Sequence, residues 1–210
     1  MFNPMIGVKN EKKKSDMLPS VLNNTDVDKL LSAPDVSTVK GIRDKAMLEV
    51  LYATGIRVSE LLSIEITDIN LDVGYILINK GNNNERAVPL YAIAIQSLYD
   101  YIKKSRPVLA ERYTEKCDVL FLNSHGTEMT RQGFWKIIKY YASVSEIVGD
   151  ITPKILRHSF ATHLLENGAD INILKDMLGH RTVSSTKVYA KILKNKYQSV
   201  YENCHPRAKR

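Results

Sequence analysis

The stretch 152–192, TPKILRHSFATHLLENGADINILKDMLGHRTVSSTKVYAKI, constrains the fold more than any other, because its helix boundaries are written into it. Thr152 is a good N-cap, since its hydroxyl accepts from a free first-turn amide, and Pro153 suits the first helical position, where no amide hydrogen is needed. Leu156, Phe160 and Leu164 recur at four-residue spacing, the mark of one buried helical stripe. Gly168 ends that helix. Asp170 caps a second, with Ile173, Leu174, Met177 and Leu178 inward; Gly179 stops it and leaves His180 on the turn. Ser184 or Ser185 starts a third helix, which carries Tyr189. Lys154 and Arg157 are three apart and share a face near a helix start, where the helix dipole and two cations together favour a phosphate.

The rest of the chain is also mostly helical in pattern. Thr25 caps a short helix with Asp28 at the third position and Val27, Leu30 and Leu31 inward. A longer helix is predicted over 42–53, with Ala46, Met47, Val50 and Leu51 as its apolar stripe and Gly55 as its breaker. Arg57 opens another helical segment, 58–64, in which Glu60 is expected to fix a neighbouring cation or backbone amide. Runs rich in β-formers at 74–78 and 86–90 flank the turn-forming stretch 80–85, which predicts a hairpin with Lys80 at its tip. Arg86 is expected to hold a DNA backbone or to make a surface ion pair. The stretch 92–104 is amphipathic and is followed by Pro107; 119–122 is a candidate third strand. Thr130 starts a helix whose stripe is Phe134, Ile137, Ile138 and Tyr141. Its other face carries Arg131, Lys136 and Lys139, suited equally to a DNA groove or to solvent, and Trp135 is expected to pack.

Charge and cysteine usage narrow the function classes. Lys and Arg total 30 against 23 Asp and Glu, a formal net charge of +7, which favours a polyanionic partner. Cys117 and Cys204 form no CxxC pair, so neither a zinc site nor a disulfide framework is indicated. His158 and His163 are five apart and do not share a helix face as paired metal ligands would. His163 is expected to pack or cap. No Walker or dinucleotide motif occurs. No apolar run of membrane-spanning length and no signal-peptide pattern is seen, so a cytoplasmic protein without a membrane association is expected.

Arg157, Leu178-Gly179-His180 and Tyr189 together resemble the catalytic core of the tyrosine recombinases, the phage integrase family, and of its Xer branch in particular. The steps of 23 positions from Arg157 to His180 and of nine from His180 to Tyr189 fit that pattern. Ala53-Thr54-Gly55-Ile56-Arg57-Val58-Ser59-Glu60-Leu61-Leu62 resembles the segment bearing the family's first catalytic arginine. Lys80, on its hairpin, matches the family's catalytic lysine. One position departs: the histidine that the family places three residues before the second arginine is Lys154 here. The resemblance, from about residue 18 to 208, implies a mainly α fold with a small antiparallel β-sheet, the tyrosine recombinase catalytic-domain fold. Residues 1–17, with Lys12, Lys13 and Lys14 in a row, read as a linker or the remnant of an interdomain segment, and 18–210 as the catalytic domain. The resemblance also implies an upstream helical clamp domain, for which these residues leave no room; the expectation is either a catalytic domain taken from a longer chain or a protein that lacks the clamp. A C-terminal exchange helix at about 192–203, docking on a neighbouring subunit, is implied; a tail packing on its own domain is the alternative.

What the resemblance implies about chemistry agrees with the residue types. Cutting a phosphodiester requires a nucleophile, charge neutralisation on two non-bridging oxygens, and a proton for the leaving 5′ oxygen. Tyr189 suits the nucleophile and would conserve the bond energy in a 3′-phosphotyrosine, so neither ATP nor another cofactor is implied. A phenol titrates near 10, so it needs help to lose its proton. Arg57 and Arg157 suit the oxygens, because the guanidinium fork is planar and always charged. Lys80 suits the general acid, His180 a hydrogen bond to the phosphate, and no metal is required. Lys154 suits an oxygen-binding cation better than a base. The expected function is site-specific DNA recombination on double-stranded DNA, as a homotetramer or with a paired recombinase. The alternatives are a catalytically weak DNA-binding regulator of the same fold and type IB topoisomerase-like strand relaxation.

Overall fold

The computed structural model describes residues 21–115, 117–179 and 201–208. Its centre is a helix, α2 (Val39–Thr54), capped by Thr38, whose hydroxyl accepts from the Gly41 amide at 3.0 Å. The predicted stripe of Ala46, Met47, Val50 and Leu51 is buried, but so are Leu48, Tyr52 and Ala53 on its other sides. The helix is therefore wrapped all round: by α1 (Asn24–Ser32), α3 (Val58–Leu62), α4 (Ala92–Asp100), α5 (Arg106–Ala110) and α7 (Pro153–Glu166). Charges caught inside are paired, as a low-dielectric interior demands. Arg43 meets Asp44 at 2.7 Å, and Glu49 meets Lys45 and Arg207 at 2.8 Å each.

α2 ends at Gly55, in the left-handed region with φ +59°, and a Cβ there would run into the Phe160 ring of α7. Only glycine satisfies both conditions. The tight stop reverses the chain into α3, with Arg57 as its N-cap residue. α1 is capped by Asn23, whose Oδ1 accepts from Asp26 N at 2.7 Å, rather than by Thr25; the helix starts early enough to put Thr25 in its first turn. Val27, Leu30 and Leu31 face inward as expected.

The sheet has order β1-β2-β3, antiparallel throughout, from β1 (Ile69–Asn70), β2 (Tyr75–Ile78) and β3 (Arg86–Pro89). The hairpin register pairs Ile78 with Arg86 and Ile76 with Val88, and turns Ile76, Ile78 and Val88 into the core. The third strand is β1, not 119–122. Leu120, Phe121 and Leu122 are fully buried, and their backbone is met by other loops and by side chains rather than by a strand: Leu120 N donates to Ile64 O at 2.7 Å, and Tyr101 Oη donates to Leu120 O at 2.9 Å and accepts from Leu122 N at 3.0 Å. What remains there are two isolated bridges, Glu65 with Val119 and Leu122 with Glu128.

Pro107 does not end the helix before it. A π-helical turn, Tyr101–Ser105, joins α4 to α5, and Arg106 N–H reaches back five residues to Tyr101 O. Widening the turn ahead of a proline removes the demand for the amide that proline lacks. Next comes α6 (Arg131–Val144), with Thr130 as cap and Phe134, Ile138 and Tyr141 buried. Trp135 is 45% exposed instead of packed, because it points away from that stripe; Lys139 Nζ lies 5.0 Å from its ring centre. α7 and α8 (Ile171–Leu178) follow the predicted caps: Thr152 Oγ1 accepts from Ile155 N, and Asp170 Oδ1 from Asn172 N. No described helix is long and apolar enough to cross a membrane.

Residues 201–208 close the domain. Tyr201 Oη donates to Ala53 O at 3.0 Å, and Arg207 bridges Asp28 of α1 at 2.6 Å and Glu49 of α2 at 2.8 Å. The last part of the expected exchange helix, 201–203, thus begins a segment seated on its own domain; the part at 192–200 lies outside the described residues.

Candidate active site

The short turn between α2 and α3 brings two of the site residues, Arg57 and Arg157, together. Arg157, one turn into α7, donates through Nη1 to Gly55 O at 2.6 Å and through Nη2 to Leu178 O at 2.9 Å. Both carbonyls lie at helix C-terminal ends, those of α2 and α8, where the backbone carries partial negative charge. Among the described residues the guanidinium is aimed by carbonyls and bonded to no carboxylate, so its charge stays available to an anion. Burial, aided by repulsion from Arg57 and Arg86 and opposed by Glu60, brings its pKa down to about 10, which still leaves it protonated near neutral pH.

Arg57 reaches the same place from the start of α3, with its side chain 48% exposed. Glu60 holds it: Oε2 accepts from Arg57 N at 2.8 Å, and Oε1 lies 3.3 Å from Arg57 Nη1. The same carboxylate accepts from Asn79 Nδ2 at 3.2 Å and from both terminal nitrogens of Arg86 at 3.0 Å. Burial alone would raise the Glu60 carboxyl; the Arg86 guanidinium, the Arg57 amide and Asn79 outweigh it and hold it below its ordinary value.

Lys80 stands at the hairpin tip as expected. Its Nζ is 3.4 Å from Asp68 Oδ1 and 3.5 Å from Thr67 Oγ1, with the side chain 49% exposed. Lys154 is exposed on α7, near the helix start, and His158 one turn on is held below its usual pKa by burial and by the charges of Lys154 and Arg157. His163 is buried, its Nδ1 sharing a hydrogen bond of 2.9 Å with Tyr52 Oη, a packed residue as expected. Arg86 differs from both expectations. It is 8% exposed, so it neither reaches outward to a backbone nor makes a surface pair. The β3 alternation, which places residue 86 on the same face as buried Val88, was the signal for this. Asp68 beside Lys80 had no comparable signal. His180 and Tyr189 lie outside the described residues.

The model of the phage integrase family matches residues 20–196. The chain belongs to the phage integrase family. Within it, the chain is similar to the tyrosine recombinases called XerD, at 49% identity over 207 residues to that of Listeria innocua and 46% over 200 residues to that of Staphylococcus epidermidis. Those alignments cover 98% and 95% of this chain, and 69% and 66% of the two relatives. Among solved structures, the XerH recombinase bound to its palindromic difH substrate in a post-cleavage complex superposes with a TM-score of 0.68 at 26% identity, covering 91% of this chain and 55% of XerH. The XerA recombinase gives a TM-score of 0.68 at 24% identity over 86% of this chain and 66% of its own, a likeness of fold. The expected architecture, a mainly helical recombinase catalytic domain with a small antiparallel sheet, is the one observed.

Proposed function

We propose that this domain is a Xer-like tyrosine recombinase that cuts and rejoins strands of double-stranded DNA at a specific site. In this reading the Tyr189 hydroxyl gives up its proton to solvent as its oxygen attacks the scissile phosphorus, the bond from phosphorus to the 5′ oxygen breaks, and a 3′-phosphotyrosine forms. Arg57 and Arg157 neutralise the non-bridging oxygens, Lys80 gives its proton to the leaving 5′ oxygen, and His180 and Lys154 add contacts to the phosphate. Several copies of the domain, or this domain and a paired recombinase, then exchange strands between two duplexes. The observation that carries the reading is the convergence on one turn of two arginines, one aimed by backbone carbonyls and the other half-exposed.

The test is covalent trapping on a nicked suicide duplex selected for binding from a random-sequence pool. The parent should yield a protein–DNA adduct and Tyr189→Phe none, with DNA affinity within about twofold, since a phenol contributes little to a phosphate-dominated grip. Adducts persisting in Tyr189→Phe would move the nucleophile elsewhere. Joining of the trapped strand to a second duplex separates recombination from strand relaxation, and a parent that binds but never forms adducts would make the domain a binding module.

A further inference from the structure

Arg86 sits where the hairpin, the start of α3 and the end of α8 meet, without facing solvent. It opens β3 and pairs with Ile78 across the base of the hairpin whose tip is Lys80. Its Nη1 and Nη2 fork the two oxygens of Glu60 at 3.0 Å each, and its Nε donates to Met177 O at 2.8 Å. Met177 precedes Leu178, whose carbonyl aims Arg157. Gly179, the next residue, has φ +70°, and a Cβ there would stand 2.8 Å from Arg86 Nη1. One buried guanidinium therefore ties together the hairpin, the start of α3 and the end of α8.

The Glu60 contacts carry the functional argument. Glu60 is a buried carboxylate beside Arg57, and an unopposed carboxylate there would neutralise the very cation the site offers to a phosphate. Arg86 takes it in a bidentate fork, the strongest arrangement open to this pair. Among the described residues Arg57 is left with a single side-chain contact, the longer one at 3.3 Å, and with 48% of its side chain exposed. We propose that Arg86 is a positioning residue for strand cleavage: it neutralises Glu60 so that Arg57 keeps its charge for the phosphate, and it locks the end of α8 that aims Arg157. The inference rests on the strand-cutting role proposed above for the two arginines.

Arg86→Met keeps a long apolar side chain in the slot and leaves Glu60 with Arg57 as its nearest cation. On the nicked suicide duplex, single-turnover adduct formation should fall about 10²-fold, the usual cost of a misplaced reacting group. The salt dependence of DNA affinity should flatten by about one unit of log–log slope, as for one lost phosphate contact. Adding Glu60→Gln to Arg86→Met should restore at least about tenfold of the rate and most of the slope, because the competing carboxylate is gone; a merely structural role predicts a double variant worse than either single one. Arg86→Lys, which keeps the charge, should hold the parent slope and fall between the two in rate; it also serves if Arg86→Met does not fold. Parent-like rate and slope in folded Arg86→Met, or an additive loss in the double variant, would overturn the proposal. A parent without adducts would sink the strand-cutting reading instead, and the slopes, which need binding only, would still decide what Arg86 does.

Discussion

At the residue scale, the site is defined by how each cation is held. Arg157 is aimed by two carbonyls, so Arg157→Lys should keep the charge and lose the fork, because one ammonium cannot span Gly55 O and Leu178 O together. Adduct formation should drop on the order of 10²–10³-fold, measured by single-turnover trapping at unchanged melting temperature. Lys154 is the position where the chain leaves its family's pattern. It is exposed at the start of α7, so it suits an oxygen-binding cation. Lys154→Ala should weaken cleavage, whereas Lys154→His should speed it near neutral pH by adding a group able to take the Tyr189 proton. Cleavage of a nicked duplex followed from about pH 6 to 9 checks this; a Lys154→His variant slower at every pH would mean that the site has been rebuilt around lysine. Arg57, Lys80, Lys154 and Arg157 could be named from sequence because motif spacing names residues. Their holding groups were less legible. Glu60 was legible as a partner, but burial of Arg86 required the pleat to be read, and the carbonyls of Gly55 and Leu178 have no side chain to announce them.

At the element scale, punctuation was legible and adaptation was not. Thr38, Thr130, Thr152, Asp170, Gly55 and Gly179 cap or end helices by local chemistry, and all but the first were read from sequence. The π-helical turn that accommodates Pro107 breaks the 3.6-residue period rather than following it, and the run 119–122 is satisfied by partners distant in sequence, Ile64 and Tyr101 among them, which no window of sequence contains. Gly55 joins the two levels. Gly55→Ala would impose both a left-handed alanine and a collision with Phe160, and should cost about 2–4 kcal/mol in urea unfolding while also shifting the carbonyl that aims Arg157. The C-terminal segment supplies a pH dependence. His205 is buried among the rings of Tyr52, Tyr91, Phe160 and Tyr201; its Nδ1 accepts from Arg207 N at 3.2 Å, which leaves Nε2–H to face Tyr52 O at 3.4 Å. Burial, with little relief from neighbours that include the Arg207 cation, brings its pKa down from 6.5 to about 3. Between those values the unfolded chain binds the proton and the folded one does not. This contribution is therefore complete above about pH 6.5 and is lost as pH falls toward 3, an effect on the order of several kcal/mol. His205→Phe, which keeps a ring and removes the titration, should melt with a shallower loss between about pH 7 and 4 than the parent. Equal slopes would place the acid sensitivity in the carboxylates.

At the scale of the whole molecule, the helices packed around α2 form one support and the charge is distributed over it. The net charge of +7 is not by itself a DNA footprint; what matters is which cations remain available to phosphates. Arg43, Arg86 and Arg207 are buried in ion pairs and count for nothing outside. Lys139 is tied to Asp150 and lies over Trp135, so its charge is already paired. Arg131 and Lys136 stay exposed on α6, which packs against α3, the helix that begins at Arg57. Sequence alone left that face equally suited to a DNA groove and to solvent; that α6 packs beside the helix opened by Arg57 favours the first. If α6 extends the grip that Arg57, Lys80, Lys154 and Arg157 begin, six cations face the backbone, and affinity should fall by roughly 10³-fold between 50 and 200 mM salt. Arg131→Gln with Lys136→Gln should flatten the log–log slope by about two units while leaving the adduct rate at saturating protein unchanged, because backbone contacts position the duplex without entering the chemistry. Fluorescence anisotropy across the salt series, with trapping at saturation, separates the outcomes. A slope equal to the parent's would make the α6 face ordinary solvated surface, and a lowered rate at saturation would place it nearer the reacting phosphate than the α3 contact implies.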